Sequence, residues 1–175
     1  MSFIDWLFPL LPISAVKLRP DVEEGCLPLE AAYVQLNSYS CGVTAIATVL
    51  AYLKGGVDVS DLYARLDPPE DGMSNGDLSK EFARQRLQVF KLDKGFTPGH
   101  IQYQLARGRP VVAGCISSGD PHYVVIYGVV PEGYYVANMK QNWHNSYFVS
   151  WREWAGMSGP EFSAMAVGKK RRTKC

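Results

Sequence analysis

The apolar positions of this chain keep two rhythms, a helical one before about residue 110 and a strand-like one after it. Ile46, Val49, Leu50 and Leu53 fall at i, i+3, i+4 and i+7, which gives one apolar face and predicts a helix from Val43 to Leu53. Ser38 or Ser40 can cap its start, and Gly55-Gly56 ends it. Val57-Asp58-Val59-Ser60 caps a second, short helix that runs through Leu66, and Asp67-Pro68-Pro69-Glu70-Asp71-Gly72 is a turn-rich loop. Ser74-Asn75-Gly76-Asp77 reads as a capping box opening a third helix, with Leu78 and Phe82 toward the core. Gln88 to Leu92 reads as a strand. Thr97 caps a fourth helix with Pro98 at its first position; it runs to Arg107, and Gly108 stops it.

Beyond Gly108 the strands follow one another. They are Val111 to Ile116, His122 to Val129, a return strand Tyr134 to Asn138 after the turn Pro131-Glu132-Gly133, and Tyr147 to Ser150. Ser150-Trp151-Arg152-Glu153 is another capping box, on a short helix at Trp154, and Phe162 to Val167 is the last strand. Helices first and a largely antiparallel sheet second is an α+β pattern.

The ends read differently. Residues 1–20 are hydrophobic and broken by proline; Phe3, Trp6, Leu7, Leu10 and Leu11 line one side of a short helix that Pro9 and Pro12 interrupt. An arm packed on the domain is the plain reading, with a membrane-surface anchor or an inhibitory pro-segment as the others. Asp21 to Leu29 reads as a linker, and Tyr33-Val34 as a short strand. The expected organisation is an N-terminal extension over 1–30, one domain over 31–168 and a basic, disordered tail over 169–175. Lys169-Lys170-Arg171-Arg172 reads as a solubilising end, with a nucleic-acid or lipid contact as the second reading.

Composition narrows the function. The apolar share of 47% and charged share of 20% describe an ordinary globular domain, and a net charge of +1 offers no bulk attraction to nucleic acid or anionic membrane. Cys26, Cys41, Cys115 and Cys175 have neither CxxC nor zinc-ligand spacing, His100 and His144 complete no ligand set, and no metal or cofactor is expected. There is no GxxxxGK[ST] loop and no apolar run of about 18 residues. With no basic start and Asp5 early, a secretory signal is not expected; a cytoplasmic or membrane-peripheral location is favoured.

One stretch carries chemistry. Gln35-Leu36-Asn37-Ser38-Tyr39-Ser40-Cys41-Gly42 runs from a polar loop into the first helix. The N–H groups and positive dipole end of a helix start favour the thiolate of a cysteine there, and the thiolate is the nucleophile. Gln35 could place a side-chain N–H beside that sulfur and, with the backbone N–H of Cys41, form an oxyanion hole. The plainer alternative is a small buried cysteine at a helix start. A nucleophile needs a base, and of the three histidines His122, beginning a strand after Ser117-Ser118-Gly119-Asp120-Pro121, is the best placed.

Taken together, Gln-x5-Cys-Gly opening a helix, then His122-Tyr123-Val124-Val125-Ile126-Tyr127-Gly128, then Tyr135-Val136-Ala137-Asn138, resemble the papain-like cysteine peptidases. More narrowly they resemble the bacteriocin-processing peptidase domains, which cut leader peptides after double glycine, and their free-standing relatives. The likeness covers residues 33–155 and includes Gly72 to Leu78, Gly108-Arg109-Pro110-Val111-Val112 and Ser150 to Trp154. It implies a papain-like fold, with Cys41 as nucleophile, His122 as base and then acid, Gln35 as oxyanion donor and Asn138 orienting the imidazole. Asn138-Met139 stands where the leader-processing branch has aspartate followed by proline, a departure toward the papain triad. It further implies a peptide or protein substrate and a transporter or membrane partner on a separate chain.

Strand alternation puts His122 on a face with Val124 and Ile126. A plain loop over 130–133 pairs Asn138 with Val125, on the wrong face, so an odd-length loop or a bulge near Pro131–Gly133 is expected; otherwise Gln141 or Asn142 takes the role. The expected reaction is peptide hydrolysis through a thioester. Amidase, deamidase or acyltransferase chemistry on the same triad, and a silent peptide-binding module, are the alternatives.

Overall fold

The computed structural model describes residues 15–17, 26–29, 31–33, 35, 37–92, 94–137, 146–158 and 162–170. The helix expected over the first residues, and with it Asn138, Gln141, Asn142, His144, Cys175 and the tail beyond Lys170, lies outside them. The helical elements are α1 (Cys41–Lys54), α2 (Val59–Leu66), α3 (Asn75–Arg84), α4 (Pro98–Leu105) and α5 (Trp151–Met157). The strands are β1 (Ala15–Lys17), β2 (Ala31–Tyr33), β3 (Leu87–Leu92), β4 (Val111–Ser117), β5 (Asp120–Val130), β6 (Gly133–Ala137), β7 (Ser146–Ser150) and β8 (Ala164–Lys169).

β1 and β2 pair as a small antiparallel sheet, and the other six form an antiparallel sheet in the order β3-β8-β4-β5-β6-β7. The α+β expectation holds, with the helices packed on this sheet. Both predicted capping boxes form, at Ser74/Asp77 and Ser150/Glu153, and the predicted Thr97 cap proves to be a third, with an imidazole nitrogen of His100 in place of a carboxylate. α1 ends as expected at Gly55, whose φ of 85° is the left-handed conformation that glycine adopts without strain. α4 stops two residues short of Arg107, at Leu105.

α1 departs most from its sequence pattern. The periodicity marks one apolar face, yet every residue from Cys41 to Leu50 is buried. Alanine and threonine fill the remaining faces, so this is a central helix, packed against β2, β5, α2 and α3. Leu27, Leu29 and Tyr33, from the segment ahead of it, join the same core. At the other edge of the sheet α5 is pinned to the β5–β6 turn. Trp151 donates its indole N–H to the Pro131 carbonyl at 2.6 Å, and Tyr134 lies edge-on between Trp151 and Trp154, at 4.7 and 5.1 Å.

Two turns set the positions of the site strands. Ser118 and Gly119 have φ of 53° and 89°, a pair of left-handed residues that closes the β4–β5 hairpin in two residues. This register puts Cys115 directly opposite His122, Ala113 opposite Val124 and Val111 opposite Ile126. The expected irregularity between β5 and β6 is also present, in a different place. The connecting loop is only Pro131-Glu132, and the bulge lies between Ile126 and Gly128. With Tyr127 as the extra residue, Ala137 pairs with Val125.

Candidate active site

Cys41 is the first residue of α1 and is 5% exposed. The turn before it is held by a single side chain and its carbonyl, those of Asn37. The Asn37 carbonyl accepts from the Ser40 N–H at 3.4 Å, from the Ser40 hydroxyl at 3.2 Å and from the side-chain amide of Gln35. The Asn37 N–H donates to Ser40 Oγ at 3.2 Å, its side-chain oxygen accepts from the Tyr39 N–H at 3.3 Å, and its side-chain nitrogen donates to the Tyr63 hydroxyl on α2 at 2.7 Å. Sequence reasoning passed over Asn37, because nothing in the pattern marks an asparagine that closes an irregular turn.

The expected serine cap does not form. Ser40 precedes the helix, but its hydroxyl faces Asn37 and caps no helical N–H. Its carbonyl accepts from both the N–H and the hydroxyl of Thr44, each at 3.0 Å. The first turn of α1 also carries no acidic side chain. The positive end of the helix dipole is therefore not neutralised by a carboxylate, an arrangement that favours negative charge on the first residue.

His122, the third residue of β5, is 4% exposed and so lies deeper than the solvent-open strand start expected for it. α1 packs against β5. Two residues beside His122 have raised pKa values, to which a Cys41 thiolate contributes after burial. Burial first, and then the Cys41 charge, pushes the Cys115 thiol up to about 12. The Tyr123 hydroxyl is likewise pushed up to about 12 by burial, then by the Cys41 and Asp77 charges. His122 is the cross-strand partner of Cys115 and the chain neighbour of Tyr123.

Gln35 is half-buried just ahead of the turn. One of its side-chain N–H groups is given to the Asn37 carbonyl, while its side-chain oxygen is buried without a hydrogen-bond partner among the described residues. An amide carries a second N–H. The structure thus brings Cys41 and His122 into one neighbourhood and ties Gln35 to the turn that leads into it. Asn138, following the last described residue of β6, lies outside the described residues.

Tyr123, Asn75 and Ser163 were also missed. The Tyr123 hydroxyl donates to Asn75 Oδ1 and Asn75 Nδ2 donates to Ser163 Oγ, both at 2.9 Å, linking the strand of His122 to the start of α3 and the lead into β8. The Ser74–Asp77 motif was visible as a cap, but the outward reach of Asn75 was not. Gly42 seats α3 on the nucleophile helix: a Cβ there would lie 3.0 Å from Met73 Cβ and 3.2 Å from Leu78 Cδ1. Among the described residues no group of three His, Cys, Asp or Glu could hold a metal ion, and no helix is long and apolar enough to cross a membrane.

Comparison with known proteins agrees with this architecture. The peptidase domain of Streptococcus ComA, a bifunctional ABC transporter of a quorum-sensing pathway, superposes with a TM-score of 0.63 at 14% identity, covering 78% of this chain and 96% of that one. A double-glycine-motif protease from an AMS/PCAT transporter, solved with its leader peptide, gives 0.62 at 16% identity, covering 85% and 97%. A protein of Bacillus anthracis described as a C39-like peptidase gives 0.58 at 16% identity, covering 79% and 94%. At these identities the likeness is one of fold. Among curated protein sequences none is significantly similar. Residues 30–146 match the peptidase C39 family, two thirds of the chain, and this chain is a member of that family of cysteine peptidases.

Proposed function

We propose that the protein hydrolyses a peptide bond in a leader-type peptide, with Cys41 as nucleophile, His122 as general base and acid, Gln35 as oxyanion donor and Asn138 as the group that orients the imidazole. The observation that carries this reading is the position of Cys41 as the first residue of α1, a helix with no side-chain cap that packs against β5, the strand of His122. The register adds support for Asn138. With Ala137 opposite Val125, a ladder continued by one pair would set position 138 opposite Val124, on the face of His122.

The steps follow from these roles. The Cys41 thiolate attacks the scissile carbonyl carbon, a C–S bond forms, and the carbonyl electron pair moves to oxygen. The Cys41 N–H and the second N–H of Gln35 face that oxyanion. Imidazolium His122 protonates the leaving nitrogen as the C–N bond breaks. Neutral His122 then takes a proton from water, whose oxygen attacks the thioester and releases the acid product and the thiolate. The transporter and leader-peptide contexts of the structural neighbours favour a leader substrate, delivered to or by a transporter.

Synthetic peptides with and without an internal Gly-Gly, incubated with wild-type protein and Cys41→Ala, test this by mass spectrometry. A cut after Gly-Gly that disappears in Cys41→Ala is the expected result. Ammonia release, or a peptide joined to an added amine, would move the chemistry to a deamidase or acyltransferase. Absence of any product together with inertness toward active-site thiol probes would leave a peptide-binding module.

A further inference from the structure

A second cleft lies at the end of α1 remote from Cys41. Its volume is about 470 Å³, and Tyr52, Arg107, Gly108, Arg109, Gly168 and Lys169 border it. α1 has 14 residues and spans about 20 Å, so this cleft and the Cys41 end of the helix are well separated. Three of the lining side chains are cations and none is an acid. Among the described residues none of the three pairs with a carboxylate. The borders include the last turn of α1 and the chain just past α4, where helix carbonyl ends together contribute about one negative charge. Three full positive charges outweigh that.

The two guanidinium groups are also pre-arranged. Arg109 lies 3.8 Å over the Phe90 ring and donates one N–H to Gln104 Oε1 at 3.0 Å. Gly168 makes room for it: a Cβ at that position would lie 3.1 Å from Arg109 Cγ and 3.2 Å from its Nε. Arg107 lies 3.4 Å over the Tyr103 ring and donates one N–H to the Tyr103 carbonyl at 3.1 Å. Each guanidinium carries five N–H groups, so most of each fork is left for a ligand, already ordered by its ring. A guanidinium fork matches the oxygens of phosphate, and three cations match a dianion or trianion better than a single carboxylate.

We infer that this cleft is a binding site for a phosphate-bearing ligand with two or more negative charges. It shares no residue with the proposed catalytic group and does not depend on it.

Calorimetric titration of the full chain with inorganic pyrophosphate tests the inference, with acetate as control and with Arg107→Gln/Lys169→Gln as the variant. Arg109→Lys, which keeps the charge and removes the fork, is a second variant. Thermal melting reports whether each variant is folded. In parallel, sedimentation with phosphatidylcholine vesicles, with and without phosphatidylinositol 4-phosphate, whose headgroup carries a phosphomonoester, separates a free phosphate from a lipid headgroup. One-to-one pyrophosphate binding, absent for acetate and weakened about tenfold or more in each variant, is expected. Sedimentation with phosphatidylinositol 4-phosphate vesicles alone, lost in the same variants, would support the same site with a lipid headgroup as the source. Failure of both arms, or binding indifferent to both variants, would overturn it.

Discussion

Glu81 fastens α2 to α3, and its removal should be costly in a pH-dependent way. Its side chain is 3% exposed and accepts two bonds from Arg65, both 3.0 Å, two from Arg84 at 2.8 and 3.0 Å, and one from Gln85 at 2.8 Å. Burial alone would raise its pKa; the bonds from Arg84, Arg65 and Gln85 outweigh it and hold the carboxyl down at about 2 instead of its ordinary 4.5. Such a shift corresponds to about 3 kcal/mol at neutral pH. Arg84 is 53% exposed and Arg65 32%, so solvent screening reduces this to about 2 kcal/mol. The native carboxyl is the more acidic, so the stabilisation is complete above pH 4.5 and is lost as pH falls toward 2. For a chain of this size Glu81→Gln should lower the melting temperature by about 4–8 °C at pH 7. The gap between wild type and variant should shrink to roughly half by pH 3. Calorimetric or circular-dichroism melts across pH 3 to 8 measure both. An equal gap at pH 7 and pH 3 would refute the ion-cluster reasoning, and no gap at all would refute the burial argument.

Three further outcomes are expected. Gly42→Ala forces a methyl against Met73 and Leu78 and should cost about 1–3 kcal/mol in denaturant unfolding. Asn37→Ala removes the bonds that shape the turn before Cys41 and the tie to Tyr63; alkylation of Cys41 should slow about tenfold while circular dichroism stays native. Cys115, fully buried with its thiol pushed up to about 12, should resist iodoacetamide at pH 8 in the folded protein and react only after unfolding, as peptide mapping can show.

Much of the architecture was legible because its signals are local. Caps need only a few consecutive residues, so the boxes at Ser74 and Ser150 and the cap at Thr97 were found from the sequence, and the glycine that ends α1 likewise. Cys41 was legible as a cysteine before an apolar helix, and His122 by elimination among three histidines. What escaped depends on contacts between distant segments. An odd-length loop or a bulge near Pro131–Gly133 was expected on register grounds, but the bulge lies between Ile126 and Gly128, next to the segment near residue 26. Cys26 Sγ fills the space where a Gly128 side chain would stand, and Leu27 donates its N–H to the Tyr127 carbonyl at 2.7 Å. No pattern within residues 120–137 records that. That Cys115 stands opposite His122 was not legible, because the pairing is fixed only by the two-residue turn at Ser118-Gly119. The depth of His122 was missed for the same reason: strand β5 begins two residues earlier than the proline-containing turn suggests.

The central claim is that Cys41 is a thiolate sustained by His122. The most direct measurement is the rate of Cys41 alkylation by iodoacetamide from pH 4 to 10, located by peptide mass mapping, in wild type and in His122→Ala. The account predicts rapid labelling that persists well below the ordinary thiol pKa of about 8.5 and collapses in the variant. Labelling that rises only near that value, with the same profile in both proteins, would contradict it.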